Sequence, residues 1–166
     1  EMWETTGEEA FLKELETRAR TLKGIDTNWD WGNLKNLGMF TYLLSKRTGK
    51  DPALVQEIRE AAVACANGLV AARNAHGYAR PLGTPYYWGC NGTVARQVVN
   101  LQVANRVAPN KDYVTASLDA LGHLFGRNCH GRSYVTGLGA NPPMFPHDRR
   151  SGGDAIPEPW PGYLVG

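Results

Sequence analysis

Between Glu8 and Phe125 the chain spaces apolar residues three and four positions apart in five separate runs, and no comparable run alternates them two apart. That spacing belongs to helices with one side to bury, so the pattern predicts an all-α fold. The first run covers residues 8–22 with Phe11, Leu12, Leu15, Ala19 and Leu22 on one face, and Thr6 and Glu9 have capping-box spacing ahead of it. The second covers residues 33–46 through Leu34, Leu37 and Leu44. The third opens with Asp51 as N-cap and Pro52 at the first helical position, and runs to about Asn74 through Leu54, Ile58, Ala62, Cys65 and Leu69. The fourth spans residues 93–107 through Val94, Val98 and Leu101. The fifth starts at Lys111 behind Asn110 and carries Val114, Leu118, Leu121 and Phe125. Met2 and Trp3 read as the tail of a further helix.

Short polar turns recur between these runs. Thr6 to Leu12 resembles Thr48 to Leu54, and Ala108 to Val114 is a looser third copy. Repeated helix–turn–helix units point to a stacked or toroidal helical architecture. With 42% hydrophobic residues among 166, the chain can build a real core. A formal charge of +2 gives no reason to expect nucleic acid or an anionic membrane as partner, and no apolar run is long enough to span a bilayer. Glu1-Met2-Trp3-Glu4 lacks the basic and apolar regions of a signal peptide, as a mature secreted chain would too. The three cysteines cannot all pair within one chain. Cys65 reads as a buried small residue; Cys90 and Cys129 could meet each other, or join His123 or His130 at a metal. Without a CxxC spacing, plain thiols are the favoured reading.

Residues 126–166 offer neither period. A stretch this long without regular structure is usually a binding surface, or it wraps onto other chain. Its core is Ser133 to Arg150, with prolines at 142, 143 and 146, glycines at 137 and 139, His147 and two arginines. Gly137-Leu138-Gly139 is not a phosphate loop, because no helix follows to receive an anion.

Ser133, Val135, Thr136, Gly139, Asn141, Pro146, His147 and Arg149 stand at the fixed positions of a histidine signature, and through them the segment resembles glycoside hydrolase family 9, the cellulases and related β-glucanases. The likeness continues in Leu124 to Asn128 with Gly131 to Ser133, in Tyr86 to Asn91, in Asp30 to Asn33 and in Pro159 to Gly166. It is to the clostridial cellulosomal endoglucanases of the family in particular. The resemblance implies a fold: the C-terminal sector of an (α/α)6 barrel, about five helices over residues 1–125, then an irregular substrate-cleft loop over 126–166. The whole chain is then part of one catalytic domain, whose remainder is a necessary partner, and on its own it should expose an apolar edge. The implied substrate is β-1,4-glucan, the implied compartment extracellular, and carbohydrate-binding or cellulosome modules are the implied attachments.

Family members cleave with inversion, which needs two carboxyl groups about 6.5–9.5 Å apart. The family's base lies in an Asp-x-Gly-Asp-like motif and its acid in an Asn-Glu motif. Neither occurs here, so the 166 residues alone are expected to be inactive. The resemblance assigns a catalytic role to His147, with Arg149 as its companion on substrate. An imidazole N–H can donate to a sugar hydroxyl, and a guanidinium can donate two parallel bonds. Trp31 and Trp88, each in a glycine-containing turn before a helix, are candidate platforms for the apolar faces of glucose, against core packing as the commoner fate of tryptophan. Tyr134 is a further substrate-binding candidate, with packing at least as common a fate for it as for Tyr86 and Tyr87, and Trp3 and Trp29 read as structural.

Asp148, Asp154 and Glu158 are the loop's carboxylates, and none is assigned as acid or base. Asp154 with the Ile156 carbonyl could ligate a structural calcium, as in some family members, against a solvated turn aspartate. No cofactor is otherwise required. Arg127, Arg132 and Arg150 are expected to pair with loop carboxylates or carbonyls. Two other functions compete with hydrolysis: a glucan-binding fragment without catalysis, and an α-helical repeat scaffold for protein. The scaffold would show an apolar or charged concave face in place of tryptophans beside a proline-fixed loop.

Overall fold

A computed structural model describes residues 1–166. Six α-helices follow in order: α1 (Met2–Thr6), α2 (Glu9–Leu22), α3 (Lys35–Leu44), α4 (Pro52–Ala75), α5 (Cys90–Val107) and α6 (Lys111–Leu124), with one 3-10 turn at Ser151–Gly153. The only β contact is an isolated antiparallel bridge between Val135 and Leu164. Neighbouring helices pack in sequence, α1 on α2, α3 on α4, α4 on α5 and α5 on α6, with α4 also reaching α6. Trp3, Leu12, Phe40, Tyr42, Leu54 and Ile58 form the core of the first helices. Leu69, Leu101, Ala104, Tyr113 and Ala116 join α4, α5 and α6. Leu82, Cys90, Val94, Ala120 and Leu124 close the end that faces the irregular segment.

Helix boundaries follow local chemistry. The Asp51 side chain accepts from the N–H groups of Ala53 and Leu54 at 2.8 and 3.3 Å, with Pro52 behind it. Asn110 accepts from Asp112 N at 2.9 Å and opens α6. The Thr6/Glu9 capping box does not form. Thr6 instead closes α1, its hydroxyl donating to Met2 O and accepting from Glu8 N. Gly7, at φ 76, ends that helix in the left-handed region that glycine adopts freely.

Two helices bury a different face from the one their large apolar residues suggest. In α3 the buried residues are Asn36, Met39, Phe40, Tyr42 and Leu43, while Leu34, Leu37 and Leu44 are exposed. In α6 the buried side is Tyr113, Ala116, Ser117, Ala120, His123 and Leu124, and the Val114, Leu118, Leu121 and Phe125 stripe faces outward. Small side chains let α5 and α6 approach closely, and the larger ones are left over. Met2, Leu22, Leu34 and Leu37 are also exposed, at the opposite end of the row. Both ends of the helical row are thus apolar, as expected of an open sector. All three cysteines are free; Cys65 and Cys90 are buried and Cys129 is exposed.

His123 is 1% exposed, both its ring nitrogens lack a partner, and its ring lies 5.6 Å from that of Tyr134. Burial, then the charges of Arg80, His76 and Arg127, push its pKa down to about 4. A depressed imidazole pKa means that the folded state binds fewer protons than the unfolded chain, whose histidine titrates near ~6.5. Stability from this group is complete above that value and is lost as pH falls through 4, by about 3 kcal/mol in all. Urea unfolding from pH 7 to 4 should show that loss, and His123→Leu should flatten it; an unchanged slope in the variant would remove His123 as its source.

Candidate active site

The two turns that carry exposed tryptophans are held by buried polar side chains of the helices. Asn36 clasps Asp26, its amide oxygen accepting from Asp26 N at 3.0 Å and its amide N–H donating to Asp26 O at 2.8 Å. Asn100 accepts from the Trp29 indole at 3.0 Å and donates to Asp26 O at 3.1 Å, and Gln97 donates to Asn28 Oδ1 at 2.8 Å. Trp29 is therefore an anchor, buried like Trp3, and Trp31 two residues on is 88% exposed.

The second turn is built on Arg80, which is fully buried. Its guanidinium donates to Gly83 O at 3.0 Å, Pro85 O at 2.6 Å and Cys90 Sγ at 3.1 Å, with the Tyr86 ring 4.1 Å away. Tyr87 is fixed by its hydroxyl on Thr93 Oγ1 at 2.8 Å. Trp88, between these anchors and α5, is 95% exposed.

Beyond the Ser151–Gly153 turn and the Val135–Leu164 bridge, residues 133–166 take their shape from specific ties. Thr136 is fully buried. Its hydroxyl donates to Trp160 O at 2.6 Å and accepts from Tyr163 N at 2.9 Å, while its backbone N–H donates to Tyr163 O and its carbonyl accepts from Gly162 N. Val165 N donates to Tyr134 O, and Asn91 at the start of α5 donates to Val165 O at 2.9 Å. Gly139, at φ 74, packs so closely that a Cβ there would lie 2.9 Å from Ser133 Cβ and 3.1 Å from Phe125 O. Arg132 donates to Asn141 O at 3.2 Å, Arg127 pairs with Asp119 and Arg150 with Asp148.

These ties bring the His147 loop and the Trp88 turn to one cleft of about 540 Å³. Trp88, Gly89 and Gly92 line it together with Pro146, His147, Asp148 and Arg150 and with Tyr163 to Gly166. Of the residues singled out in the sequence, His147 and Trp88 meet here. Arg149 is exposed but does not line the cleft; the neighbouring Arg150 does, with its guanidinium 5.7 Å from the Tyr163 ring. Trp31 lies outside the cleft lining, on its own turn. Tyr134 packs against the Leu82, Cys90, Val94, Ala120 and Leu124 cluster and against His123, and burial raises its pKa. Asp148, Arg150 and Tyr163 were not assigned to the site from the sequence; the spacing of Asp148 three residues before Ser151, that of a capping side chain, was the available signal.

Asp154 is a turn residue. One carboxylate oxygen accepts from Ile156 N at 2.9 Å and the other from the Trp160 indole. No cluster of three His, Cys, Asp or Glu side chains occurs in the chain. Calcium takes six to eight oxygens; with both Asp154 oxygens turned onto N–H donors, this arrangement does not fit that ion.

The description Glycosyl hydrolase family 9 matches over residues 1–166. The chain belongs to glycosyl hydrolase family 9. It is 62% identical over 167 residues to Endoglucanase D of Acetivibrio thermocellus, covering 100% of this chain and 27% of that protein. It is 30% identical over 172 residues to a xyloglucan-specific endo-beta-1,4-glucanase of Bacteroides ovatus, covering 100% of this chain and 29% of that protein. The crystal structure of the family 9 endoglucanase J30 superposes with a TM-score of 0.80 at 32% identity, over 91% of this chain and 28% of that one. The six helices are thus a sector of the family 9 (α/α)6 barrel, and the chain spans between a quarter and a third of the length of these relatives.

Replacing Thr136 with valine keeps the shape and removes the hydroxyl, so Trp160 O and Tyr163 N each lose that partner. Both bonds are part-buried and each is worth about 0.5–1.5 kcal/mol net, so Thr136→Val should destabilise the protein by about 1–3 kcal/mol. A chemical-denaturation midpoint within error of the parent would contradict the clamp.

Proposed function

We propose that this segment forms one wall of the substrate cleft in an inverting endo-β-1,4-glucanase. The observation that carries the reading is the single cleft lined both by His147, on a proline-bounded loop, and by the exposed Trp88. An indole offers a flat apolar face to a pyranose ring and leaves the sugar's hydroxyl rim free. An imidazole across the gap can donate to one of those hydroxyls and so hold the sugar beside the scissile bond. Arg149, Trp31 and Tyr134 are kept in the proposal at different strengths. Arg149 and Trp31 are exposed and free to reach a glucan that extends past the cleft, and Tyr134 acts as packing beneath it.

Hydrolysis with inversion needs a base on water and an acid on the leaving oxygen. Asp148 is the one carboxylate on the cleft wall, so both catalytic carboxyls are assigned to the remainder of the catalytic domain, and this chain to substrate binding and orientation. Two carboxyls and water suffice for that chemistry, with no cofactor. Secretion, and attachment to carbohydrate-binding or cellulosome modules, follow from the same reading, since a polymeric glucan must be met outside the cell. The single cleft carboxylate also supports the second reading, that the 166 residues alone bind glucan without cleaving it.

In the complete domain, His147→Ala should lower kcat on β-glucan by about 10–100-fold, the loss of one or two hydrogen bonds made in the transition state. Trp88→Ala should raise KM more than it lowers kcat. Full turnover in both variants, with the wild-type fold, would overturn the assignment of this cleft.

A further inference from the structure

We infer that Asp148 is a positioning residue that fixes the direction of the His147 imidazole, an assignment that rests on the glucanase reading of the cleft. The His147 side chain is exposed, and no hydrogen bond within the chain holds its ring. Its direction is therefore set by the backbone on either side of it. Before it, Pro146 has a fixed φ. After it, every polar group of Asp148 is engaged.

The Asp148 backbone N–H donates to Pro146 O at 2.9 Å, which closes a three-residue turn with His147 at its apex. The Asp148 carbonyl accepts from Gly152 N at 3.0 Å. One carboxylate oxygen accepts from Ser151 N at 3.0 Å, and the other from Arg150 Nε at 3.3 Å. The side chain bonded three residues ahead and the carbonyl bonded four ahead together brace the turn that leads into Ser151–Gly153. Asp148 thus ties the peptide directly after His147 to Pro146 on one side and to residues 150–152 on the other.

The same contacts argue against Asp148 as a base on water. The Ser151 N–H first, then the Tyr163 hydroxyl and the Arg150 guanidinium, hold its carboxyl below the usual carboxylate range. Its side chain is 19% exposed, and both oxygens already accept from the chain. It acts through its neighbour.

The test is a double-mutant cycle in the complete catalytic domain, with kcat and KM measured on soluble β-1,4-glucan. D148A should lower kcat about tenfold and leave KM within about twofold. D148N should recover most of that loss, because the asparagine amide oxygen can accept from Ser151 N as the carboxylate does. In the H147A background, D148A should cost less than about twofold, since no imidazole remains to be aimed. Equal losses in both backgrounds, or an Asn variant no better than Ala, would overturn the assignment. A second readout does not need activity: amide exchange at Ser151 and Gly152 should speed up in D148A and stay protected in D148N. Unchanged protection in D148A would overturn the proposal whatever the enzyme cleaves. If D148A does not fold, D148E takes its place: its longer side chain keeps the charge but not the reach to Ser151 N, so kcat and protection at Ser151 should both fall, and wild-type values for both would overturn the assignment. A wild-type domain inert on every β-1,4-glucan would defeat the glucanase reading, and the exchange measurement would still decide whether Asp148 fixes the turn.

Discussion

The buried hydroxyl of Thr136 is the tie on which the rest of the cleft depends. Chain without a ladder or a helix must satisfy its buried backbone groups one at a time, and residues 133–166 do so around this side chain. It joins Trp160 and Tyr163 to the segment that leaves α6. From there Val165 reaches Tyr134 and Asn91, so the segment is lashed to the start of α5 as well. The Trp88 turn enters the same helix. One helix terminus therefore sets the distance between the two walls, and the His147 loop inherits its position from it.

The helices supply rigidity by a similar use of buried polar groups. Asn36, Gln97 and Asn100 are almost fully buried on α3 and α5, and their amides hold the backbone and the Trp29 indole of the turn before α3. Arg80 does the same for the turn before α5, with backbone carbonyls, a thiol and an aromatic ring in place of a carboxylate partner. A buried guanidinium needs its donors satisfied, and the carbonyls of a tight turn meet much of that need. Each device spends a buried polar side chain on the shape of a loop, and each leaves one tryptophan next to it exposed.

The sequence foretold the places where chemistry is local. Asp51-Pro52 and Asn110 cap their helices as their residue types require, and Leu54, Ile58, Ala62, Cys65 and Leu69 are the buried face of α4. Spacing alone could not choose between two faces of α3 and α6, because the decision rests on how closely a neighbour approaches. The smaller residues of α6 won that contact, and a stripe of large apolar residues was left outside. Asn36, Gln97, Asn100 and Arg80 were illegible for a related reason: polar residues read as surface until a partner backbone is seen folded over them. At the site, the motif around His147 and the turn around Trp88 carried their residues to one cleft. The motif assigned Arg149 to substrate and Arg150 to a loop partner; Arg150 does pair with Asp148, and its further place on the cleft lining is set by a non-repeating turn that spacing does not reveal. Tyr134 looked equally available for sugar, and tertiary packing placed its ring against the α5–α6 core.

The central claim is that His147 and Trp88 hold one glucan between them. A crystal structure of the complete catalytic domain with a bound cello-oligosaccharide tests it directly. The account predicts one sugar stacked on the Trp88 indole and a hydroxyl of that sugar or its neighbour within hydrogen-bonding distance of the His147 imidazole. Electron density for the sugar elsewhere, with both side chains packed against other protein, would contradict it.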